Sequence, residues 1–276
     1  NGGYVAFPVL VSARILRIPV IIHVSDTVPS RVLLFASKFA KKISIAFPEA
    51  AKFFPKNKEK IAHLGNPVRD EIKFKQTEGA HQYFDLDPTR KTILVLGGSQ
   101  GSQIINETIL GALPKLIKNY QIIHQTGKNN YDNVFATAGV ELIDNPFKKR
   151  YRVYSYLDNL QMKMAAGTAD LIISRAGAGS IAEISNWNVP SILVPLTKVI
   201  SRDQESNSFS YARSGAAVVI RQKNLSPNIL IHEINRIFET SGLIEKMSES
   251  AKKYFIPDSD KKIAHEILKI LISHQK

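Results

Sequence analysis

The chain has 276 residues, and this length, which is more than a single hydrophobic core usually fills, favours two domains. Hydrophobic residues form 44% of the sequence and charged residues 22%, which excludes a disordered chain, while the absence of cysteine excludes thiolate catalysis, cysteine-ligated zinc and iron–sulfur clusters. The formal net charge of +13 indicates an anionic partner, such as nucleic acid, an acidic membrane surface or a phosphorylated small molecule, unless it only keeps the protein in solution.

The first apolar stretch, residues 5–24, is interrupted by Arg14, Arg17 and Pro19. It therefore predicts a helix followed by a strand, because a membrane-spanning helix needs about 20 apolar residues in a row. The chain starts at Asn1 and enters this apolar sequence at once, without the pattern of a signal peptide. We expect it to be a piece of a longer protein whose N-terminal part is missing.

Along the rest of the chain, short β-branched apolar runs alternate with amphipathic helical stretches. The runs are typical of buried parallel strands, and strands are predicted at residues 20–23, 43–46, 92–96, 121–125, 171–174, 191–195 and 216–220. Helices are predicted at residues 8–17, 30–42, 102–118, 157–167, 180–188, 203–214, 227–240, 243–254 and 259–274. This alternation predicts an α/β fold with parallel sheets and right-handed crossovers.

A polar stretch, residues 73–90, separates two such arrays and is predicted to be a domain linker. The first array, residues 1–72, offers only two convincing strands, which again indicates a truncated domain. The second array, residues 90–256, has enough strands for a complete α/β domain.

Two glycine-rich turns follow buried strands of the second array. The first is Gly97-Gly98-Ser99-Gln100-Gly101, which leads into an amphipathic helix. Glycines let the backbone approach a ligand closely, and a helix N-terminus presents free N–H groups and a partial positive charge. A phosphate site with Ser99 as a hydroxyl donor is the favoured interpretation, and an ordinary tight turn is the alternative.

The second turn, residues 177–180, follows the strand that ends at Ser174. Ser180 and Glu183 have the Ser-x-x-Glu spacing of a capping box, in which Glu183 would accept the backbone N–H of Ser180 at the start of a helix. Alternatively, the Glu183 carboxylate would bind the two adjacent hydroxyls of a ribose. The spacing alone does not decide between these interpretations.

Polar residues also follow the strand predicted at 191–195, at the sheet edge where α/β proteins bind ligands. Gln204 and Asn207 would share one helix face, and their amides suit sugar hydroxyls, although an exposed helix start is favoured on this segment alone. Arg69 follows the turn-forming pair Asn66-Pro67 and would either bind a pyrophosphate or lie on the surface.

Other features point to structural roles. His23 and His124 each end a predicted strand without a second histidine at metal-ligand spacing, so we expect no metal site. The basic helix predicted at 30–42 is interpreted as facing the core, with binding to anionic lipid as the alternative. Nucleic acid is not an expected partner, because the sequence lacks a basic-aromatic binding module.

Taken in order, these motifs resemble the MurG family of N-acetylglucosaminyltransferases over nearly the whole chain. The residues that carry the resemblance are Gly2-Gly3-Tyr4-Val5, Gly65-Asn66-Pro67-Val68-Arg69, the first glycine-rich turn, His124-Gln125-Thr126-Gly127, Ser174-Arg175-Ala176-Gly177-Ala178 with Glu183, and Gln204 with Asn207. The resemblance implies a GT-B fold, meaning two Rossmann-like domains with a cleft between them. It implies an incomplete N-terminal domain at 1–78, a UDP-sugar-binding domain at 79–256, and a C-terminal helix at 257–276 that packs back on the N-terminal domain.

The resemblance also implies an activity: inverting transfer of GlcNAc from UDP-GlcNAc to undecaprenyl-pyrophosphoryl-muramyl-pentapeptide, a step of peptidoglycan and therefore cell-wall synthesis. It implies a peripheral protein on the anionic cytoplasmic face of the cell membrane, without a cofactor. The alternatives are another GT-B enzyme, with a different lipid acceptor or an epimerase activity, and a non-catalytic UDP-sugar-binding module.

The family's site residues carry over to matching positions of this chain. Glu183 would bind the ribose, while Ser99 and Arg69 would contact the diphosphate. Leu157 would offer backbone groups to uracil, and Gln204 and Asn207 would bind GlcNAc hydroxyls. The turn that lines the nucleotide comprises Ala178, Gly179, Ser180, Ile181, Ala182 and Glu183.

This chain departs from the family pattern in two segments. The family's first glycine-rich loop, which ends in Gly-Gly-His, is absent, so the catalytic base is unassigned and the chain alone is expected to be impaired or inactive. His23-Val24-Ser25-Asp26 stands where the family has His-Glu-Gln-Asn, so Asp26 would take over the donor contact of that Asn.

Overall fold

The computed structural model describes residues 5–98, 100–197, 199–201 and 203–274. It contains two parallel β-sheets with helices packed on them, which confirms the predicted α/β class. The strands are β1 (Ile21–Val24), β2 (Lys42–Ile45), β3 (Ile61–His63), β4 (Thr92–Leu96), β5 (Gln121–Gln125), β6 (Tyr151–Tyr154), β7 (Leu171–Ser174), β8 (Ser191–Leu193) and β9 (Ala217–Val219). The helices are α1 (Ala6–Ile15), α2 (Arg31–Ser37), α3 (Ala80–Tyr83), α4 (Gln103–Asn119), α5 (Tyr131–Glu141), α6 (Asn159–Thr168), α7 (Ala178–Trp187), α8 (Gln204–Arg213), α9 (Pro227–Glu239), α10 (Leu243–Tyr254) and α11 (Ser259–His274).

The larger sheet has the strand order β6-β5-β4-β7-β8-β9. Every residue of β4, β5 and β7 is buried, because helices cover both faces of the sheet. Side chains of β4 alternate between two cores: Leu94 packs with residues of α6 and α7, whereas Ile93 and Val95 pack with residues of α4 and α9. These apolar strands hold the sheet in one register.

The strand order reverses direction at β4, whose neighbours are β5 on one side and β7 on the other. Leu96 at the end of β4 pairs with Ser174 at the end of β7. The turns that follow these two strands therefore leave the sheet side by side, at the kind of switch point where open α/β sheets bind ligands.

The smaller sheet has the order β1-β2-β3. The expectation of only two strands in the first array was wrong, because β3 is a short, partly exposed strand that lacks a continuous apolar run. β6 was also missed. Val153 is its one aliphatic residue, its other members are two tyrosines and an arginine, and it follows a basic segment, so it has no continuous apolar run.

The segment predicted as a linker is partly structured. It contains α3, in which Ala80 is buried, and Phe84 and Leu86 belong to the core that also holds residues of α6 and α7. The bond from Gln76 N to the Lys163 carbonyl, at 3.0 Å, attaches this segment to α6. The segment was predicted to be a linker because it is mostly polar and has only these few buried apolar residues.

The C-terminal helix α11 lies beside the smaller sheet. Glu266 Oε2 is 3.7 Å from Lys42 Nζ, and Ile267 and Leu271 line an apolar groove with Ile18 and Ile21. The domain boundaries at residues 78 and 256 stay predictions. A helix of the length and apolarity needed to cross a membrane is not found in the described part of the chain.

Candidate nucleotide-sugar site

The turn after β4 is shaped by glycines that have different reasons to be there. A Cβ at Gly97 would lie 2.5 Å from Ser102 N, and one at Gly101 would lie 1.9 Å from the Thr126 carbonyl oxygen. Gly98 instead has a φ of +89°, and a Cβ there would meet none of the described residues within 4 Å. The tight-turn interpretation therefore explains all three glycines, Gly98 through its positive φ, and Gly98 in addition leaves room beside the backbone. The predicted phosphate contact Ser99 lies outside the described residues.

The turn after β7 leads into α7, which begins at Ala178 with Gly177 as its N-cap. The capping-box interpretation of Ser180 and Glu183 was wrong, because the helix starts two residues earlier than predicted. Ser180 lies inside the first turn, and no side-chain hydrogen bond caps this helix. In the part of the chain that the structure describes, a Cβ at Gly179 would meet nothing within 4 Å, so this turn also leaves room for a ligand.

The other turn residues are placed by the packing of α7. Ala178 and Ala182 are nearly buried, and Ile181 is 1% exposed in the core. Ile181 can therefore line a nucleotide only through its backbone. The first N–H groups of α7 point out of the helix N-terminus, where an anion is favoured.

Arg175 fastens the two turns to each other. Its Nη2 donates to Ser102 Oγ at 2.6 Å, and its Nη1 donates to the Val194 carbonyl at 3.1 Å and to Gln222 Oε1 at 2.9 Å. A guanidinium offers several donors in a fixed fork, which suits such bridging. Arg175 is part of a motif noted in the sequence, but no role was predicted for it.

Glu183 is bonded to Arg69, from the first array. Arg69 Nη2 and Nε donate to Glu183 Oε1 at 3.1 and 3.3 Å. The Glu183 side chain is 21% exposed and that of Arg69 51%. Burial raises the pKa of Glu183, and the Arg69 guanidinium opposes that rise. Two predicted ligand contacts thus meet each other across the two arrays.

Asn66 joins the same two parts of the molecule. His23 Nε2 lies 2.9 Å from Asn66 Oδ1, and Asn66 Nδ2 donates to the carbonyls of Ser25 and Ala178 at 2.9 and 3.4 Å. Because the amide oxygen only accepts, His23 Nε2 is assigned the proton and Nδ1 accepts from Ser44 Oγ. His23 is a hydrogen-bonded structural histidine, and burial lowers its pKa.

Asn207 is 0% exposed, so the exposed-helix interpretation is wrong for this residue. Its Oδ1 accepts from the backbone and hydroxyl of Thr27, both at 2.9 Å, and its Nδ2 donates to Asp26 Oδ1 at 2.8 Å. Gln204, at the start of α8, uses Oε1 to accept from Leu196 N at 3.0 Å. The described residues give the Gln204 amide nitrogen no partner.

The prediction that Leu157 starts a helix was wrong. α6 begins at Asn159, with Asp158 as the N-cap of a capping box. The Leu157 N–H donates to Gln125 Oε1 at 3.0 Å, so only its carbonyl is left for uracil. Gln125 also approaches the Gly98 carbonyl with Nε2 at 3.4 Å, a bridging role that sequence reasoning missed.

His124 is fully buried beneath these turns. Its Nδ1 lies 2.8 Å from the Tyr151 hydroxyl and its Nε2 3.0 Å from Asn106 Oδ1, and burial lowers its pKa to about 3. It is a neutral, structural histidine. Within the described ranges, no three His, Asp or Glu side chains are grouped so that they could hold a metal ion.

Two parallel α/β units, with two glycine-rich turns at a switch point and a carboxylate beside them, have the architecture of the GT-B class of nucleotide-sugar enzymes. Comparison with known proteins agrees with this class. Residues 92–263 match the model of the glycosyltransferase family 28 C-terminal domain. The chain is 35% identical over 275 residues to the UDP-N-acetylglucosamine–N-acetylmuramyl-(pentapeptide) pyrophosphoryl-undecaprenol N-acetylglucosamine transferase of Natranaerobius thermophilus, covering 99% of this chain and 73% of the relative. The chain therefore belongs to this family of transferases, the MurG family.

Solved structures give the same result for the fold. The crystal structure of MurG from Acinetobacter baumannii has a TM-score of 0.75 at 27% identity, covering 97% of this chain and 72% of that one. A UDP-GlcNAc 2-epimerase from Neisseria meningitidis, bound to UDP-GlcNAc, has a TM-score of 0.66 at 16% identity, covering 98% and 75%. The epimerase shares the fold alone.

Proposed function

We propose that this chain carries the donor site of an enzyme that transfers GlcNAc from UDP-GlcNAc to the muramyl-pentapeptide of undecaprenyl-pyrophosphoryl-muramyl-pentapeptide, with inversion at the sugar carbon. The observation that carries the proposal is the Leu96–Ser174 register, which sets two glycine-rich turns side by side in a chain of this family. This places the protein in peptidoglycan synthesis.

In the proposed complex, the nucleotide lies along the N-terminus of α7. Glu183 binds the ribose hydroxyls, while the N–H groups of Gly179 and Ser180 face the diphosphate together with Ser99. The room that Gly98 and Gly179 leave among the described residues supports this position. The nucleotide is bound by groups from both turns.

Uracil and the sugar lie at the two ends of this nucleotide position. The Leu157 carbonyl faces uracil. Gln204 offers its amide nitrogen to GlcNAc, because Oε1 is already bonded to Leu196 N. Asn207, which is fully buried, contributes to the sugar side only if ligand binding opens its bonds. Asp26 is partly exposed, and its carboxylate has acceptor sites beyond the bonds from Asn207 and Ser25, so it can bind a sugar hydroxyl without losing them.

The chemistry is a displacement at the anomeric carbon. The acceptor hydroxyl attacks C1 of GlcNAc as the bond from C1 to the UDP oxygen breaks, and the hydroxyl proton passes to a base that this chain leaves unassigned. Negative charge develops on departing UDP. The N-terminus of α7 and the Arg69 guanidinium stabilise that charge electrostatically.

The proposed acceptor is lipid-linked, and we infer a peripheral position on the anionic cytoplasmic face of the membrane. Arg14, Arg31 and Lys38 supply exposed positive charge on α1 and at the ends of α2, and α1 also exposes the apolar residue Val9. Basic residues next to apolar ones suit an acidic lipid surface.

A product assay tests this function. Two proteins are compared: this chain alone, and this chain joined to the upstream region of a relative. Each is incubated in EDTA with UDP-GlcNAc and a short-chain lipid-linked muramyl-pentapeptide. We expect mass spectrometry to find the GlcNAc-bearing product and stoichiometric UDP from the joined protein. Release of an epimerised UDP-sugar without acceptor, or no turnover by the joined protein, would contradict the proposal.

A further inference from the structure

We propose that Arg69, by occupying Glu183 in the ligand-free protein, makes the site select nucleoside diphosphates over bare nucleosides. This inference rests on the proposed function, because it takes Glu183 as the ribose contact. It adds that the diphosphate of the ligand is needed to draw Arg69 away from the carboxylate.

The first support is how the guanidinium meets the carboxylate. Arg69 Nη2 and Nε both donate to the same atom, Glu183 Oε1, at 3.1 and 3.3 Å. A carboxylate oxygen has about two lone-pair positions, so Oε1 is saturated. A ribose diol that binds both carboxylate oxygens must therefore displace at least one of these N–H groups.

The second support is that Arg69 can leave without disturbing the fold. Its side chain is 51% exposed, and Glu183 is its one side-chain hydrogen-bond partner among the described residues. The backbone on either side is anchored, since Val68 is 9% exposed and Ile72 is 0% exposed. The guanidinium can thus swing while its main chain stays in place.

The third support is a difference between ligands. A nucleoside diphosphate gives the displaced guanidinium an anionic partner, and arginine binds phosphate through paired hydrogen bonds. A bare nucleoside offers none, so its diol must compete with the ion pair uncompensated. Arg69 exchanges the Glu183 carboxylate for the diphosphate of the ligand, so tight binding requires a diphosphate.

The inference predicts opposite effects of one substitution on two ligands. In Arg69→Ala, uridine affinity is expected to rise about twofold to fivefold, the usual contribution of a partly exposed ion pair. UDP affinity is expected to fall about tenfold or more, because a charged hydrogen bond to the diphosphate is lost. Selectivity for UDP over uridine would then fall by roughly 20-fold or more.

Both affinities are measured by displacement of labelled UDP-GlcNAc, at one pH for all variants. Lys58→Ala is the matched control, because it removes one exposed positive charge from the same array. Thermal melting confirms that each variant is folded. In the double variant Arg69→Ala, Glu183→Gln the gain for uridine should disappear.

Salt supplies a second readout. Added salt screens the ion pair, so uridine should bind wild type more tightly as ionic strength rises, while UDP binds more weakly. Arg69→Ala should lose the uridine response. If uridine affinity is unchanged or lower in Arg69→Ala, or uridine never displaces the label from it, the inference is overturned. Failure of the wild type to bind UDP-GlcNAc would instead overturn the proposed function.

Discussion

Glu183 and Asn207 are both polar residues of the second array, but they differ in what a ligand would have to disturb. Reaching Glu183 means displacing one half-exposed guanidinium. Reaching Asn207 means opening bonds to Thr27 and Asp26 in a fully buried position. We therefore expect Glu183 to act as a ligand contact and Asn207 to act first as a link between the arrays.

His124 shows how burial of a single residue makes stability depend on pH. Its folded pKa is about 3 against an ordinary value of 6.5, so between these values the unfolded chain binds a proton that the folded protein does not. The free energy of unfolding therefore rises with pH in this window, by at most about 1.4 kcal/mol per pH unit from this group. Acidification from pH 6.5 towards 3 should destabilise the protein.

Urea unfolding at several pH values checks this prediction. His124→Asn should be less stable at pH 7, because bonds to Tyr151 and Asn106 are lost, but its stability should fall less steeply with acid. His265→Asn, at an exposed site, controls for the substitution itself. Equal slopes for wild type and His124→Asn would show that His124 is not the group that titrates.

At the scale of elements, the sequence predicted what continuous apolar runs determine. The predicted bounds of β4, β5 and β7 are those of the structure, because each strand is buried on both faces. β3 and β6 were missed, because a half-exposed strand has no such run. The Ser180–Glu183 spacing did not locate the start of α7, because a Ser-x-x-Glu pattern can stand at the N-cap or one turn further into the helix.

The long-range contacts of the site were beyond sequence reasoning. Arg69 and Glu183 are 114 residues apart, and Thr27 and Asn207 are 180 apart. Local spacing carries no information about such pairs, because they depend on how the two sheets come together. The family resemblance indicated which residues contact the ligand, but it did not indicate that these residues form hydrogen bonds with each other.

Arg175 is the residue on which the mutual position of the two turns depends most directly. Arg175→Lys keeps the charge but cannot reach Ser102 Oγ, the Val194 carbonyl and Gln222 Oε1 together. We expect a loss of about 1–3 kcal/mol in the free energy of unfolding and weaker UDP binding, because partly buried acceptors lose charged donors.

The matched control is Arg236→Lys, which alters an exposed pair within α9 and should change stability by less than about 0.5 kcal/mol. Urea titration and UDP displacement measure the two effects. Equal stability and equal UDP affinity for these variants would mean that the turns do not depend on the Arg175 bridge.

At the scale of the whole molecule, the candidate site is a property of both arrays. The second array supplies the two turns and Glu183, while the first supplies Arg69 and Asn66. Further contacts hold the arrays together, including the bond from Trp187 Nε1 to the Ile72 carbonyl at 2.8 Å. A ligand between the turns and residues 65–69 would therefore contact residues of both arrays.

In the proposed complex, the turns after β4 and β7 bind a uridine sugar diphosphate together with Glu183. This binding is measured by calorimetric titration of UDP-GlcNAc into wild type, Glu183→Ala and the exposed control Glu141→Ala. We predict that Glu183→Ala loses about 1.5–3 kcal/mol of binding free energy while Glu141→Ala matches wild type. Equal affinity for all three proteins, or no binding to wild type, would contradict the proposed complex.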